Sequence, residues 1–404
     1  MVVVQVISRF SRHHLPGLYV VTTQPVQRRY QCSDVPVKKF PPPGTNLPSL
    51  KRGTGGRSSF NGIVATVFGA SGFLGRYLVN KLGKIGTQVI IPYRGESYDI
   101  LRLRMCGDLG QILFFPFHLS DEESLYKVMK YSNVVINLIG RDFETRSFTF
   151  DDVHVEGPRA IARIAKDCGV QRFVHMSALN AAEKPKPVIL KSGSHFLASK
   201  WAGEQAVREE FPEAIVFRPA DIYGHEDRFL RYYSHFWRRN IRHLPLWKKG
   251  KETIKQPVFV SDVAEAIVNS IFDPDAVGKT FEAVGPRRYE LGELVDWFHL
   301  LMKKDTDWGY KRTDLRYDLI FQTRIFLTEK IIGKYPLLSW ERVEREHVTD
   351  TPTRGVPSLE DLGITLTYME DRVPFELRPF RALAYYDAEL GEFEKPPAPP
   401  APVM

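Results

Sequence analysis

The stretch Ile63-Val-Ala-Thr-Val-Phe-Gly69-Ala-Ser-Gly72-Phe-Leu-Gly75-Arg-Tyr-Leu-Val-Asn-Lys-Leu82 changes from an apolar run of strand type to helical periodicity at a glycine cluster. This pattern predicts a strand, a tight turn and a helix. Gly69 would permit the turn, Gly72 would let backbone N–H groups come close to a pyrophosphate, and Gly75 would let the helix pack on the sheet. Because the first turn of a helix offers free N–H donors to an anion, we predict a nucleotide-binding loop here.

Segments of strand and helix character alternate after this loop. The pattern predicts strands at 87–94, 111–117, 133–140, 171–177 and 213–218, and helices at 122–130, 150–169 and 199–210. Such alternation requires crossover helices on both faces of a sheet. We therefore predict an α/β fold, a doubly wound parallel sheet of Rossmann type with a smaller C-terminal α/β domain.

Composition suggests where the domains begin and end. We predict a Rossmann nucleotide-binding domain at 61–225, to which 256–285 returns, and the smaller domain at 226–394. Proline and glycine dominate 36–60, which predicts a linker or extended arm, and 395–404 is a Pro-rich tail.

The N-terminal segment 1–35 is rich in arginine and hydroxyl residues, and its first acidic residue is Asp34. This makeup predicts a mitochondrial transit peptide, removed near 29–32, with a disordered basic tail as the alternative. No stretch of the chain reaches the roughly 18 uninterrupted apolar residues that a transmembrane helix needs. We therefore expect no transmembrane segment.

Charge and cysteine content narrow the class of protein. The chain has 404 residues and an excess of 56 Lys+Arg over 48 Asp+Glu, a net charge of +8, which suits an acidic partner, a membrane surface or a phosphate-bearing ligand. Cys32, Cys106 and Cys168 are odd in number and lack metal-type spacing. We predict no disulfide framework, a reduced compartment and no metal site.

Arg94 ends the predicted strand that follows the glycine loop, about twenty residues beyond it, where a Rossmann unit meets the adenosine ribose. An Asp or Glu there would repel a 2′-phosphate, whereas the forked donors of an arginine pair with one. The residue therefore favours NADP(H) over NAD(H). The alternative is a solvated arginine at a strand end.

Several motifs follow one another in the order and spacing of the extended and atypical short-chain dehydrogenase/reductase superfamily, which the chain resembles from about Gly62 to Gly285. They are Gly69-Ala-Ser-Gly-Phe-Leu-Gly75, Asn137-Leu-Ile-Gly140, Phe173-Val-His-Met-Ser177, Lys200, Arg218-Pro-Ala-Asp-Ile-Tyr-Gly224 and Val258-Phe-Val-Ser-Asp-Val-Ala264.

Within that superfamily, five further sequence motifs resemble those of the nucleotide-binding accessory subunits of mitochondrial respiratory complex I. They are Val-Ile-Ile-Pro-Tyr-Arg94, Asn-Leu-Ile-Gly-Arg-Asp142, Phe-Pro-Glu-Ala-Ile215, Glu-Asp-Arg-Phe-Leu230 and Leu-Glu-Asp-Leu-Gly363. This likeness covers nearly the whole chain after the transit-like start.

The resemblance implies a set of cofactor-binding residues. The glycine loop would hold the pyrophosphate, Ile139 and Gly140 the sugar and backbone path, Lys200 the nicotinamide ribose, and Pro219 to Ile222 the nicotinamide end. The full expected set is Gly69, Ser71, Gly72, Phe73, Leu74, Gly75, Arg94, His118, Leu119, Ile139, Gly140, Met176, Ser177, Lys200, Pro219, Ala220 and Ile222.

Catalysis is the point at which the chain departs from the superfamily, whose Tyr-x-x-x-Lys pair transfers the substrate proton. Phe196 precedes Lys200 by four residues, where the tyrosine is expected. A phenylalanine has no proton to donate, and a general acid contributes roughly 10²–10⁴ in rate. Further departures are His154, where an asparagine is common, and His118, where an aspartate usually lies near the adenine. We therefore expect binding without catalysis and name no catalytic residue.

The stretch 228–255 contains nine Lys and Arg residues against one glutamate, with six aromatic residues among them. Arginine with aromatics can contact anionic headgroups, RNA or a protein partner. The resemblance favours a partner or lipid headgroups and makes nucleic acid a weaker expectation. A solvated face is the alternative of equal weight.

Together with these patterns, the resemblance to the complex I accessory subunits implies a non-catalytic NADP(H)-binding accessory subunit of complex I, more specifically NADPH-binding, on the matrix side of the inner mitochondrial membrane. Its partners would be other complex I subunits, and its role would be to support assembly or stability of the enzyme. Two alternatives remain open. One is a soluble NADPH-dependent reductase or isomerase of the matrix, and the other is an RNA-binding member of the same superfamily.

Overall fold

The computed structural model describes residues 56–145, 147–239, 242–305, 309–329, 338–382 and 395–403. The predicted transit peptide (1–35) and most of the predicted linker (36–60) lie outside the described residues. Within the described residues, no helix has the length and apolar content needed to cross a membrane.

The strands of the described residues are named in chain order. They are β1 (Val64–Phe68), β2 (Gln88–Tyr93), β3 (Ile112–Pro116), β4 (Val134–Asn137), β5 (Arg172–Met176), β6 (Ile215–Pro219), β7 (Ile222–Tyr223), β8 (His243–Leu246), β9 (Ile254–Lys255), β10 (Val258–Phe259), β11 (Thr280–Ala283), β12 (Tyr289–Glu290) and β13 (Lys311–Asp314).

Seven of these strands form one parallel sheet in the order β3-β2-β1-β4-β5-β6-β11. The first strand lies between two partners, so that Ala65 is in register with Val89 of β2 on one side and with Val134 of β4 on the other. The strand order reverses at this point, and in open α/β sheets ligands bind at such a reversal. The predicted doubly wound parallel sheet is confirmed.

The helices are also named in chain order. They are α1 (Phe73–Lys84), α2 (Glu122–Met129), α3 (Gly157–Asp167), α4 (His195–Glu210), α5 (Leu230–Ser234), α6 (Val260–Phe272), α7 (Leu291–Leu301), α8 (Leu319–Leu327), α9 (Trp340–His347) and α10 (Met369–Glu376).

Helices cover the sheet on both faces, and each face has its own apolar core. One face packs α1 and α6 through Leu74, Leu78, Leu82, Val263 and Ile267. The other packs α2, α3 and α4 through Leu125, Ile161, Ala165 and Val207. Each large apolar side chain buried in this way contributes about 1.5–3 kcal/mol, which holds the strand ends in fixed positions.

Two helices differ from their predicted bounds. The helix predicted at 199–210 begins four residues earlier, at His195, because the Ser194 hydroxyl accepts the Leu197 N–H at 3.3 Å and caps its N-terminus. The helix predicted at 150–169 is interrupted by a π-helical turn, Asp152–Glu156, before α3. Because a Cβ on Gly203 of α4 would lie 2.0 Å from the His154 carbonyl oxygen, these helices pack with unusually close backbones.

The chain after β6 adds three two-stranded pairings to the central sheet. Strand β7 pairs with β10, β8 with β13, and β9 with β12. Of the segment predicted to return to the sheet at 256–285, the part that joins it is β11, whereas Val258–Phe259 pairs with β7. The predicted domain boundaries stay predictions.

Candidate functional site

The predicted cofactor-binding residues converge on one edge of the central sheet. Most of them lie in the loops after β1, β2, β3, β4, β5 and β6. The others are Phe73, Leu74 and Gly75 at the start of α1, Met176 and Pro219 at the ends of β5 and β6, Ile222 in β7, and Lys200 of α4. Because the strands are parallel, their carboxyl ends lie side by side at one edge of the sheet. This arrangement alone brings the predicted residues together.

The glycine turn after β1 has the predicted backbone geometry. Gly69 has a φ of +77°, and a Cβ there would lie 3.0 Å from the Leu138 carbonyl carbon of the neighbouring loop. A Cβ on Gly75 would lie 2.6 Å from the Gly69 oxygen and 2.6 Å from the Ala70 Cα. Both positions therefore require glycine, the first for its φ and the second for close packing.

Helix α1 begins at this turn with donors available to a ligand. Gly72 is its N-cap residue, and no side chain caps the helix. The Gly72 N–H donates to the Gly69 oxygen at 3.0 Å, which fixes the turn. The N–H groups of Phe73, Leu74 and Gly75 point out of the first turn as in any helix, where an anion can accept from them.

Arg94 directly follows β2 and is exposed beside an aromatic residue that the sequence did not suggest. The Arg94 guanidinium lies 5.7 Å from the centre of the Phe148 ring. The same ring lies 6.1 Å from the ring of His118, which follows β3. Arg94, Phe148 and His118 therefore form one group at the end expected for the adenosine ribose. Phe148 lies in a loop without periodicity, so no pattern could have indicated it.

Lys200 is buried next to the loops after β4 and β5. Its Nζ donates to the Met176 carbonyl at 3.0 Å, and a Cβ on Gly140 would lie 3.0 Å from that Nζ. Burial lowers the pKa of Lys200 to about 8, and the nearby Arg345 acts in the same direction against Glu204. The structure thus brings together Lys200, Gly140 and Met176, three residues of the predicted set.

His154 occupies the π-helical turn as a neutral side chain. Its Nε2 accepts the Arg141 backbone N–H at 3.1 Å, which leaves the proton on Nδ1 to be donated to the Ser199 hydroxyl at 2.9 Å. The Ser199 hydroxyl in turn donates to the Phe196 carbonyl at 2.9 Å. Burial and the neighbouring Lys200 lower the pKa of His154 to about 2. His154 therefore links the loop after β4 to helix α4.

The ring of Phe196 is buried among aromatic and basic side chains. His154 meets it edge to face with ring centres 5.1 Å apart, and Phe150 does so at 6.1 Å. The Lys200 Nζ lies 6.0 Å from its centre, in agreement with the one-face placement of residues four apart. On its cleft side, the Arg345 guanidinium lies 4.5 Å from the ring centre.

A cleft of about 240 Å³ lies beside this ring, walled by Pro219 at the end of β6, Ala220 in the turn that follows and Ile222 at the start of β7. Ser177 also lines it, and its buried hydroxyl has no hydrogen-bond partner among the described residues. An unpartnered hydroxyl in a cleft is the kind of group that a ligand completes.

Lys255 also lines the cleft and is buried, with its Nζ 3.0 Å from Asp221 and 3.6 Å from Asp350. Burial raises the pKa of Asp221, but the nearby cations Lys255 and Arg345 lower it by more. The pKa of Asp221 is therefore lowered overall, and this carboxylate stays charged. The ion pair therefore fixes this part of the cleft wall.

Helix α9 is the part of the site that sequence reasoning missed. Its Glu341 accepts the Phe196 N–H at 3.0 Å at the start of α4, and its Glu344 accepts the Ile189 and Leu190 N–H groups at 2.6 and 2.9 Å. Its Arg345 reaches the Phe196 ring. The dense charge of Trp-Glu-Arg-Val-Glu-Arg-Glu-His347 is typical of a solvated helix, so the pattern gave no sign of this inward role.

The basic stretch 228–255 is less exposed than its composition suggests. Arg238 is buried in an ion pair with Glu346 at 2.8 Å, and Lys255 is buried as described above. Arg228 pairs with Asp142 at 2.6 Å and Lys248 with Glu252 at 2.6 Å. The stretch is therefore partly interior, and it does not form one continuous cationic surface.

The chain was compared with known proteins. The NAD dependent epimerase/dehydratase family matches residues 65–292. The mitochondrial NADH dehydrogenase (ubiquinone) 1 alpha subcomplex subunit 9 of Mus musculus is 46% identical over 346 residues, covering 85% of this chain and 87% of the mouse protein. The mitochondrial NADH-ubiquinone oxidoreductase 40 kDa subunit of Neurospora crassa is 35% identical and covers 92% of each chain.

Solved structures share the fold at low sequence identity. MoeE5 in complex with UDP-glucose and NAD has a TM-score of 0.56 and 17% identity, covering 78% of this chain and 97% of that chain. The crystal structure of gox2253 has a TM-score of 0.54 and 18% identity, covering 77% and 96%. These matches agree with the fold described above.

Proposed function

Since this chain belongs to the NAD dependent epimerase/dehydratase family, in the branch of the mitochondrial NADH dehydrogenase (ubiquinone) alpha subcomplex subunit 9 proteins, we propose that it is a non-catalytic accessory subunit of mitochondrial respiratory complex I. In this role it holds a dinucleotide as part of its structure and supports the assembly or stability of the enzyme. It belongs on the matrix side of the inner membrane, with other complex I subunits as its partners.

The observation that carries this proposal is that Phe196 stands four residues before Lys200, where the superfamily has a tyrosine. The lysine that would hold the nicotinamide ribose is present, whereas the ring four residues earlier lacks the hydroxyl that moves a proton. A bound nicotinamide ring supplies hydride chemistry, but without a proton donor the reduction of a carbonyl is slower by roughly 10²–10⁴. Arg345 further restricts access to the Phe196 ring, because its guanidinium lies 4.5 Å from the ring centre.

The proposed cofactor is NADP(H), more specifically NADPH. The turn at Gly69, the uncapped start of α1 and the unpartnered Ser177 hydroxyl fit a dinucleotide along the sheet edge. Arg94 is the proposed partner of the 2′-phosphate because it is exposed and no acidic residue forms an ion pair with it among the described residues. The remaining proposed cofactor-binding residues are Ser71, Gly72, Phe73, Leu74, Gly75, His118, Leu119, Ile139, Gly140, Met176, Lys200, Pro219, Ala220 and Ile222.

Partner contact is proposed for the exposed part of the C-terminal region. Leu319, Ile320, Phe326 and Leu327 of α8 have 51 to 70% of their surface exposed. Arg324 of the same helix lies 5.1 Å from the Trp237 ring of the 228–255 stretch. An exposed apolar face next to arginine and tryptophan suits a protein neighbour, with anionic lipid headgroups as a second contact of the exposed cations.

The experiment that tests the proposal is the isolation of the tagged chain from mitochondrial membranes. We expect complex I subunits to copurify with it, and we expect the chain to migrate with the intact enzyme in a native gel. A soluble matrix protein such as an unrelated dehydrogenase serves as the control for membrane contamination. Recovery of the chain alone from the matrix fraction, with turnover of NADPH, would establish the reductase alternative in its place.

A further inference from the structure

A second cavity, of about 260 Å³, lies between the 227–238 segment and α9. It adjoins the cofactor cleft through Arg228, which lines both. Four arginines line it, namely Arg228, Arg231, Arg238 and Arg342, and its aromatic wall includes Tyr232 and Trp237. Its volume is below the roughly 300 Å³ at which pockets for drug-sized ligands begin, so that it suits a small group.

Arg238 has unused hydrogen-bond donors in the wall of this cavity. The residue is 1% exposed, and its Nη2 donates to Glu346 at 2.8 Å. Its Nε and Nη1 have no hydrogen-bond partner among the described residues. A buried donor left in this state costs about 1–3 kcal/mol, and an acceptor bound in the cavity would relieve that cost.

The arginines are held in place before any ligand arrives. The guanidinium of Arg342 lies 4.0 Å from the centre of the Tyr232 ring, and that of Arg238 lies 5.4 Å from the same centre. The Tyr232 hydroxyl donates to Glu346 at 3.1 Å, which fixes the ring between them. Little side-chain entropy is therefore lost when an anion binds.

The acidic residues of the cavity are already engaged. Asp142 accepts from Arg228 at 2.6 Å and from Arg342 at 3.4 Å, so that two arginines share one carboxylate. Asp227 accepts the backbone N–H groups of Leu230 at 2.9 Å and Arg231 at 3.1 Å. Burial raises the pKa of Asp227 to about 7 against these bonds, so that part of its negative charge is lost near neutral pH.

Arg231 is exposed at this cavity and forms no ion pair with a described residue. The positive charge of the cavity therefore exceeds that of its carboxylates. Forked guanidinium donors match the oxygens of a phosphate group in pairs. Aromatic walls can cover an attached apolar or planar part of the same ligand.

We propose that this cavity binds the phosphate group of a small phosphate-bearing ligand, held by Arg238 and Arg231, with Tyr232 and Trp237 against the rest of the molecule. The site does not depend on the nucleotide at the sheet edge or on the assignment to complex I. The phosphate can come from a free organic phosphate or from a lipid headgroup, and the two sources are separated by experiment.

The test uses the full chain with its nucleotide bound, so that the dinucleotide site does not take up the probe. Thermal unfolding is followed while inorganic phosphate is titrated against sodium chloride at equal ionic strength. We expect phosphate to raise the Tm in a saturable manner. Arg231→Gln should lose at least half of that rise, while Arg354→Gln, an exposed arginine outside the cavity, should keep it.

Arg238→Lys tests the forked donors directly, since it keeps the charge and removes the second nitrogen. We expect it to lose most of the rise in Tm. Should this variant fail to fold, because Arg238 pairs with Glu346, the Arg231→Gln result decides. An equal loss in Arg231→Gln and Arg354→Gln would overturn the proposal, since it would show a general charge effect.

The source of the phosphate is examined with phosphatidylcholine vesicles, with and without phosphatidic acid. Binding that needs phosphatidic acid and is lost in Arg231→Gln supports the site with a lipid headgroup as its ligand. A response to inorganic phosphate without vesicle binding supports it with a free phosphate. No response to either probe in the wild-type chain contradicts the proposal.

Discussion

The Arg345 guanidinium lies 4.5 Å from the centre of the ring of Phe196, the residue four positions before Lys200 on α4. The arginine comes from α9, about 150 residues later in the chain. Under the proposed function, two features act together here. Phe196 has no hydroxyl that could donate a proton, and Arg345 of another helix lies against its ring.

Removal of this cation should weaken the fold around the cleft. Arg345→Ala loses a cation–π contact, worth about 0.5–2 kcal/mol, and one of the cations near Asp142. We expect the free energy of unfolding to fall by about 1–2 kcal/mol in urea denaturation. Arg372→Ala is the matched control, because Arg372 lies 5.3 Å from the Phe259 ring and does not line the cleft. Equal losses in both variants would argue against a special role of Arg345.

Reversal of the charge at Arg94 should remove the phosphorylated cofactor. In Arg94→Glu the carboxylate would repel the 2′-phosphate and accept from a free ribose hydroxyl instead. We expect the NADP(H) content of the purified protein, measured by mass spectrometry of the extract, to fall at least tenfold. Arg104→Glu, on an exposed arginine beside Phe114, controls for the change in net charge. Unchanged NADP(H) content in Arg94→Glu would show that Arg94 does not contact the phosphate.

The glycine turn can be tested with two positions of nearly equal backbone conformation. Gly69 has a φ of +77° and Gly110 a φ of +78°, but a Cβ meets nothing within 4 Å at Gly110. Gly110→Ala should lower the free energy of unfolding by about 1–2 kcal/mol, because alanine is strained at this positive φ. Gly69→Ala should cost more and should also abolish nucleotide binding, since its Cβ would be forced against Leu138. A stable, nucleotide-loaded Gly69→Ala protein would contradict the assigned turn.

The neutral His154 gives the protein a defined response to acid. The pKa of His154 is lowered to about 2, so between pH 6.5 and 5 the unfolded chain takes up a proton at this residue that the folded chain does not. The contribution of His154 to the free energy of unfolding is therefore fully present above pH 6.5. It is lost as the pH falls below that value, by up to 1.36 kcal/mol per pH unit. Urea denaturation at pH 7 and pH 5 measures this loss.

His154→Asn should show a smaller loss between the two pH values, since the substituted amide does not titrate. Its control is His243→Asn, at an exposed histidine, which should keep the wild-type loss. An identical pH dependence in the wild type and in His154→Asn would mean that His154 titrates equally in the folded and unfolded states.

Local patterns were sufficient for the elements that a single stretch of chain determines. The glycine spacing predicted the turn at Gly69, and the spacing of four residues placed Phe196 and Lys200 on one face of α4. Arg345, Phe148 and Arg238 could not be found in this way. Each depends on a tertiary contact between elements far apart in the chain. The sequence around Arg345 is typical of a solvated helix, Phe148 lies in an ordinary loop, and the basic composition of 228–255 gave no sign that Arg238 is buried.

The central claim is that the chain holds a dinucleotide that it does not turn over. The most direct measurement is to extract the nucleotide from the purified wild-type protein after incubation with a panel of carbonyl compounds. The account predicts about one equivalent of NADP(H) per chain, with the same ratio of reduced to oxidised form before and after incubation. A protein without pyridine nucleotide, or one whose bound NADPH is oxidised as a carbonyl is reduced, would contradict it.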